Sequence, residues 1–311
     1  MDILAIGEIL IDLTITGQNQ EGIYQFAANP GGAPANLAVA ASRLGARTAF
    51  VGKVGNDMFG QILQNTLYQN NVDTAYVKVD PDSPTTLAIV GLDEAGERNF
   101  SFYRNDTADT SLHEDDIPLP AIYDCSVLHF GSLSLTSETS KAATYKALDY
   151  ANHIGKLVSY DPNYRASLWP SEVEAVEEIL AVMPYVDLLK LSDEEAVMLM
   201  GIDNVEEAAK ALSHKYEIGL VIVTLGSEGA LAFFDRRIIR SKPVKVEVQD
   251  TNGAGDTFLG AFLSRIVQHG EPISLTRSEI KRYLDFSNKA ASITTSRSGA
   301  IPAMPYLNEV D

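Results

Sequence analysis

Short apolar runs alternate with longer amphipathic ones along most of this chain. Ile3–Gly7, Thr48–Val54, Val127–Phe130, Leu157–Tyr160, Val186–Leu191 and Leu220–Leu225 are nearly continuous apolar stretches that read as buried strands. Ala33–Leu44, Asp57–Gln69, Ser137–Ile154, Glu172–Met183, Asp193–Met200 and Val205–Leu212 read as helices between them. This alternation predicts an α/β fold with a mostly parallel sheet covered by helices on both faces. Without an internal repeat, low-complexity tract or polar linker, residues 1–311 are expected to form a single domain.

Two stretches break the pattern. Leu13–Pro30 has no helical period. Thr85–Leu92 and Asn99–Arg104 alternate with period 2 around a turn at Asp93–Arg98 that contains Gly96, which predicts a hairpin. Phe100, Phe102 and Arg104 share one face of its second arm. A hairpin inserted in a parallel α/β chain can serve as a lid that excludes water from a ligand; a plain edge hairpin fits the same pattern.

Composition narrows the function. The chain carries 42 acidic and 24 basic residues, a formal charge of −18, with 45% hydrophobic residues. An acidic surface repels phosphate backbones and anionic lipids, which argues against nucleic-acid and membrane partners. No apolar run approaches the ~18 residues needed to span a bilayer. The N-terminus lacks a basic region, and Glu8 and Asp12 interrupt its apolar run, unlike a secretory signal. Cys125 is the only cysteine. A soluble protein in the reducing cytoplasm is expected. The five histidines are scattered, without metal-ligand spacing.

The candidate chemistry lies in two segments. Asp250-Thr251-Asn252-Gly253-Ala254-Gly255-Asp256 follows a strand-like Val244–Val248 run and precedes a helix in which Phe258, Ala261, Phe262 and Arg265 recur. A Gly-rich turn opening a helix offers backbone N–H groups and a partial positive charge to an anion. A carboxylate beside such a turn is unfavourable unless it has a task, and Asp256 could accept a proton from a hydroxyl attacking phosphorus. It could equally cap the helix. Near the N-terminus, Asp12 precedes Gly31-Gly32-Ala33-Pro34-Ala35-Asn36. A diglycine lets a ligand lie against the backbone, and Asp with Asn suits vicinal hydroxyls, as in a sugar. A plain helix start with Pro34 in its first turn is the alternative.

These segments together resemble the signatures of the ribokinase-like (PfkB) carbohydrate kinases. Gly31-Gly32 with Asn36, then Val51-Gly52-Lys53-Val54-Gly55-Asn56-Asp57 and Gly60, is similar to the N-terminal signature, and Asp250–Asp256 to the C-terminal one. Their order and separation of about 220 residues also match the family, across essentially the whole chain. The Ala33-Pro34-Ala35 step, Phe102-Tyr103-Arg104 with Ala108-Asp109, and Asp161-Pro162-Asn163-Tyr164-Arg165 with Leu168-Trp169 resemble bacterial fructokinases most.

The resemblance implies a three-layer α/β/α sandwich with a small β lid from inserts at about 13–30 and 85–104. It implies phosphoryl transfer from ATP to the 6-hydroxyl of D-fructose, with Mg2+ and, as in many relatives, K+. It makes Asp256 the base and Gly253, Ala254 and Gly255 the anion hole. Asp12, Gly31, Gly32, Asn36, Phe102, Arg104 and Arg165 would serve the sugar. Asn163, Arg165, Ser192, Glu195, Thr224, Gly226, Ser227, Gly229, Gly253, Gly255 and Asn288 would serve the nucleotide. Ser192 departs from the family's usual Asn. Asp250 and Asn252, with carbonyls around Thr294, Arg297 and Gly299, would hold a monovalent cation. The resemblance also implies a homodimer packed lid against lid. 2-Keto-3-deoxygluconate kinase, ribokinase-type activity and a sugar-binding pseudo-kinase stay open at this point.

Overall fold

The apolar runs become the strands of one ten-stranded sheet in the computed structural model, which describes residues 1–92, 98–270 and 275–311. Fourteen strands occur among the described residues. They are β1 (Ile3–Ile6), β2 (Leu10–Gln18), β3 (Tyr24–Gly31), β4 (Thr48–Gly55), β5 (Val72–Asp73), β6 (Val77–Asp80), β7 (Leu87–Leu92), β8 (Arg98–Tyr103), β9 (Val127–Gly131), β10 (Leu157–Asp161), β11 (Leu188–Ser192), β12 (Leu220–Thr224), β13 (Ala230–Phe234) and β14 (Arg237–Ser241). The helices are α1 (Ala33–Arg43), α2 (Met58–Gln69), α3 (Leu119–Asp124), α4 (Glu138–His153), α5 (Glu172–Ala181), α6 (Asp193–Met200), α7 (Val205–Tyr216), α8 (Ala254–His269), α9 (Arg277–Thr295) and α10 (Leu307–Val310).

The large sheet runs β14-β13-β12-β11-β10-β9-β1-β4-β5, with β6 also on β4. It is parallel from β12 to β5, and β13 and β14 extend it antiparallel. Side chains leave a strand alternately, so each run feeds two cores. Leu4, Ile6, Leu128, Phe130, Val158 and Tyr160 meet α4 to α7 on one face. Ile3, Val127, Leu188, Leu220 and Ile222 meet α1, α8 and α9 on the other. This is the three-layer α/β/α arrangement expected from the alternation.

The non-helical insert folds as the β2–β3 hairpin, and it joins the β7–β8 hairpin in a four-stranded sheet of order β3-β2-β7-β8. The β7–β8 turn at residues 93–97 and the side chain of Phe100 lie outside the described residues. Asp57 anchors the root of this sheet. It accepts from Gly60 N–H at the start of α2, and from Thr85 N–H and Thr85 Oγ1, each at 2.8 Å.

The strand-like Val244–Val248 run forms no strand. Val244, Val246 and Val248 are exposed, and the segment is held instead by α9, through Ser292 Oγ on the Val244 carbonyl and Gln249 N–H on the Thr295 carbonyl. Its period of 2 is real, but the sheet offers it no neighbouring strand. The β13–β14 hairpin was not anticipated from the sequence, because Ala230–Ser241 lacks clean alternation.

Helices α1 and α8 approach closely at Gly260. A Cβ there would stand 2.9 Å from both Ala40 Cβ and the Leu37 carbonyl oxygen. Gly260→Val should therefore overpack this contact and lower stability by about 1–3 kcal/mol, read as a lower urea midpoint. A wild-type midpoint would contradict the packing described.

Candidate active site

The parallel strands end together, and a cleft opens at their carboxyl ends, where open α/β sheets bind ligands. Ser192 and Thr224 are register partners at the ends of β11 and β12, and Asp161 closes β10. The Gly-rich turn enters from above. Gly253 caps α8 with φ 72°, a left-handed conformation that glycine adopts without strain. Ala254 N–H turns back to the Thr251 carbonyl at 3.3 Å, and the next N–H groups belong to a first turn that has no intrahelical acceptors.

Asp256 is the third residue of α8 and is buried. The N-cap of α8 is Gly253 rather than Asp256, whose carboxylate turns to side-chain amides instead. Its Oδ2 accepts from Asn36 Nδ2 at 2.8 Å, and its Oδ1 from Asn163 Nδ2 at 3.1 Å. Thus α1, α8 and the loop after β10 converge on one carboxylate. Asn163 holds its position with φ 49°, which Asn tolerates better than most residues. Burial pushes the Asp256 carboxyl up to about 6 and the Asp161 carboxylate acts the same way, while Asn36, Lys190 and Arg165 oppose them.

Around Asp256 the cleft is lined by Glu8, Asp12, Gly32, Asn36, Phe102, Asn163, Arg165, Asn252 and Gly253. Gly32 has φ 103°, and a Cβ on it would stand 2.6 Å from the Glu8 carbonyl oxygen, so the diglycine turn lies against backbone. Gly31 packs on the Asp12 carboxylate. Arg165 is exposed at the junction with a second cavity lined by Lys190, Ser192 and Glu195. Ser192 Oγ accepts from Glu195 N–H, and Glu195 accepts from Ser192 N–H and Tyr164 N–H, both at 2.7 Å. This reciprocal cap fixes the start of α6 to the β10 loop.

Arg104 departs from its expected place. It is buried beside the cleft rather than in its lining, with Nε on Asp109 Oδ2 at 2.7 Å and Nη2 on the Leu133 carbonyl at 3.0 Å. A buried guanidinium needs a carboxylate partner, and Asp109 supplies it. Of the expected nucleotide residues, Thr224, Gly226, Ser227, Gly229 and Asn288 form a separate group. Asn288 donates to Ser241 Oγ at 2.7 Å, and a Cβ on Gly229 would stand 2.3 Å from the Ser241 carbonyl oxygen. Thr224, Gly226 and Ser227 lead into that glycine from β12.

Asp250 binds the proposed cation segment together. Oδ1 accepts from Asn252 N–H at 2.8 Å and Oδ2 from Gly299 N–H at 2.9 Å. Asp250 N–H donates to the Thr295 carbonyl, and Arg297 N–H to that of Thr294.

Two site residues escaped the sequence reading. Lys190 lies in β11, inside a run read as apolar. It is buried, with Nζ 2.9 Å from Asp161 Oδ2, and a Cβ on Gly255 would come within 3.0 Å of Nζ. A cation therefore stands directly behind the Gly-rich turn. Glu8 had registered only as a break in an apolar run. Charges interrupting otherwise buried strands were the signal in both cases.

Known proteins resemble this chain along nearly its whole length. The family described as pfkB family carbohydrate kinase matches residues 1–307. The chain is 42% identical to "Probable fructokinase-4" of Arabidopsis thaliana over 311 residues, covering 99% of this chain and 95% of that one. It resembles the structure of a Xylella fastidiosa fructokinase with bound ATP, with TM-score 0.92 and 32% identity over 99% and 96% of the two chains. It also resembles a fructokinase double mutant from Vibrio cholerae O395 in a fructose-, ADP- and potassium-bound form, with TM-score 0.85 and 32% identity over 98% and 95%.

The Lys190–Asp161 pair yields a stability test. Lys190→Met leaves a buried carboxylate without its cation and should cost about 3–5 kcal/mol. Adding Asp161→Asn should recover part of that loss, giving a non-additive double-mutant cycle in urea. Additive effects would show that the pair is not coupled.

Proposed function

Because the chain belongs to the pfkB family of carbohydrate kinases, we propose that it is an ATP-dependent fructokinase that phosphorylates the 6-hydroxyl of D-fructose. The carrying observation is the buried Asp256 carboxylate, held by Asn36 and Asn163 at the N-terminus of α8. The names of the relatives, and the fructose and ATP bound by two of the similar structures, support the choice of substrates.

Asp256 accepts the proton of the sugar hydroxyl as its oxygen forms the new bond to the γ-phosphorus. The bond from that phosphorus to the β-phosphate bridging oxygen breaks, and ADP leaves. Backbone N–H groups of Gly253–Asp256 and the Lys190 ammonium face the charge that develops on the transferring group. Asp12, Gly31, Gly32, Asn36 and Phe102 hold the sugar, and Arg165 reaches the phosphates from the mouth of the cleft. Arg104 supports the lid root through Asp109. Thr224, Gly226, Ser227, Gly229 and Asn288 hold the nucleotide's other end, with Ser192 nearer the phosphates.

The donors fit the expected ions. Among the described residues no group of three or more His, Cys, Asp or Glu could hold a metal, which suits Mg2+ bound chiefly by phosphates with one or two carboxylates nearby. Asp161, whose Oδ1 is buried without a partner, and Glu195 would supply those carboxylates. When bound, Mg2+ neutralises phosphate charge. Asp250 with the carbonyls of Asn252, Thr294, Arg297 and Gly299 offers hard oxygen donors for K+.

Exposed Ile15, Tyr24 and Phe26 share the outer part of the β2–β3 hairpin and favour a homodimer through the lid. Among the described residues no helix is long and apolar enough to cross a membrane. A reducing cytoplasmic setting is consistent with the single buried Cys125.

Asp256→Asn should lower kcat by about 10²–10⁴-fold with nucleotide affinity nearly unchanged; turnover within a fewfold of wild type would remove Asp256 from the base role. Since the ionised carboxylate is the active form and burial raises it to about 6, wild-type kcat/KM should fall with acidification through that region. A coupled ADP assay across fructose, ribose and 2-keto-3-deoxygluconate tests the acceptor: preference for another sugar overturns the fructose assignment, and binding without turnover identifies a pseudo-kinase.

A further inference from the structure

Glu8 is the acidic residue of the cleft that the mechanism leaves without a task. It follows β1 and is 3% exposed, yet it lines the cavity that holds Asp12, Gly32, Asn36 and Asp256. Its Oε1 accepts the N–H of Ala33, the first residue of α1, at 2.9 Å. Its Oε2 is buried and has no hydrogen-bond partner. Helix capping accounts for the first oxygen only.

An unpartnered buried carboxylate oxygen is costly, and folded proteins rarely keep one without a function or a bound partner. The sugar side of the cleft can supply that partner. Glu8 adjoins the diglycine turn through its carbonyl as well as its side chain, and it lines one cavity with Asp12, Gly32, Asn36 and Asp256, so a polyol held in that cavity lies beside this carboxyl group. A carboxylate only accepts hydrogen bonds, and hydroxyls are the donors that a polyol carries.

We propose that Glu8 is a substrate-binding residue of the acceptor subsite, with Oε1 fixing the diglycine turn and Oε2 accepting a hydrogen bond from a sugar hydroxyl. This deepens the sugar-kinase reading and rests on it. Burial pushes the Glu8 carboxyl up to about 7; Arg104 on the segment after β8 opposes that shift, and Asp109 in the following turn adds to it. Asp12 and Asp256 line the same cavity. The accepting form is the ionised one, so sugar affinity should rise with pH through this range.

The test is D-fructose binding by calorimetry to the wild-type protein and to Glu8→Gln between about pH 6 and 8, with KM for fructose and for Mg-ATP measured alongside. Gln keeps an acceptor for Ala33 N–H but turns the other atom into a donor. At pH 8 Glu8→Gln should weaken fructose binding about tenfold or more, the loss expected for a hydrogen bond to a charged group. KM for Mg-ATP should stay within twofold, a split that general loosening of the fold would not produce. The variant should also lose the pH dependence near 7 while keeping the fall in kcat/KM near 6 that belongs to Asp256. Unchanged fructose affinity in a folded Glu8→Gln protein would overturn the proposal, as would equal weakening of both substrates. Should the variant not fold, fructose affinity of the wild-type protein that is flat from pH 6 to 8 would overturn it. Failure of the wild-type protein to bind or phosphorylate any sugar would instead overturn the underlying kinase reading.

Discussion

One buried carboxylate organises this molecule. Asp256 must stay ionisable inside a cleft where burial opposes its charge. Its two hydrogen bonds come from separate parts of the chain, Asn36 on α1 and Asn163 after β10, 220 and 93 residues away. Neither can reach it unless α1 lies close to α8 and β10 ends opposite the Gly-rich turn. The glycine at 260, the left-handed Gly253 and the strained Asn163 all serve that requirement. Packing and the position of the proposed base are therefore one constraint, since the helix contact that fills the core also sets the distance between acid and amide.

Charge makes the same point at a larger scale. A protein with a net charge of −18 has no global field to draw in a triphosphate. It must rely on local donors, and the structure concentrates them. The Gly-rich turn presents backbone N–H groups, Lys190 lies buried behind it, and Arg165 stands at the mouth. Lys190 is kept charged by its contact with Asp161, whose attraction opposes the desolvation that would neutralise an isolated buried amine. Asp161 thus works in two directions. It stabilises the cation behind the Gly-rich turn and raises the proton affinity of Asp256, which suits the proposed general base.

Much of this was legible in the sequence for physical reasons. Buried parallel strands must be apolar on both faces, so six of them stood out, and a Gly-rich turn between two such elements has few uses. The edges were less legible. Val244–Val248 alternates like a strand, but a strand also needs a partner, and partnership is a property of the sheet rather than of the segment. Ala230–Ser241 shows the reverse, pairing at the sheet edge without clean alternation. In the site, glycines and Asp256 were visible because their spacing is local. The family resemblance gives Arg104 to the sugar, and it shares a strand face with Phe102. Its true partner, Asp109, lies only five residues on, but only the fold shows that this carboxylate is buried with it. Lys190 and Glu8 were hidden inside apolar runs, where a lone charge reads as an interruption until the neighbouring strand ends are known.

The distribution of polar groups also shows how the four-stranded sheet, the proposed lid, is fixed to the three-layer body. Phe102 of β8 lines the cleft. Two residues on, Arg104 is tied to Asp109 and to the Leu133 carbonyl after β9. Asp57 ties Thr85, at the base of β7, to the start of α2. The lid's root is thus bonded at two points to the three-layer body, while its outer hairpin carries exposed Ile15, Tyr24 and Phe26. The sheet is therefore fixed at its root, beside Phe102, and carries exposed apolar side chains on the arms of its outer hairpin. Such an arrangement suits the proposed lid, which would exclude water from phosphoryl transfer while leaving the geometry of the proposed base undisturbed.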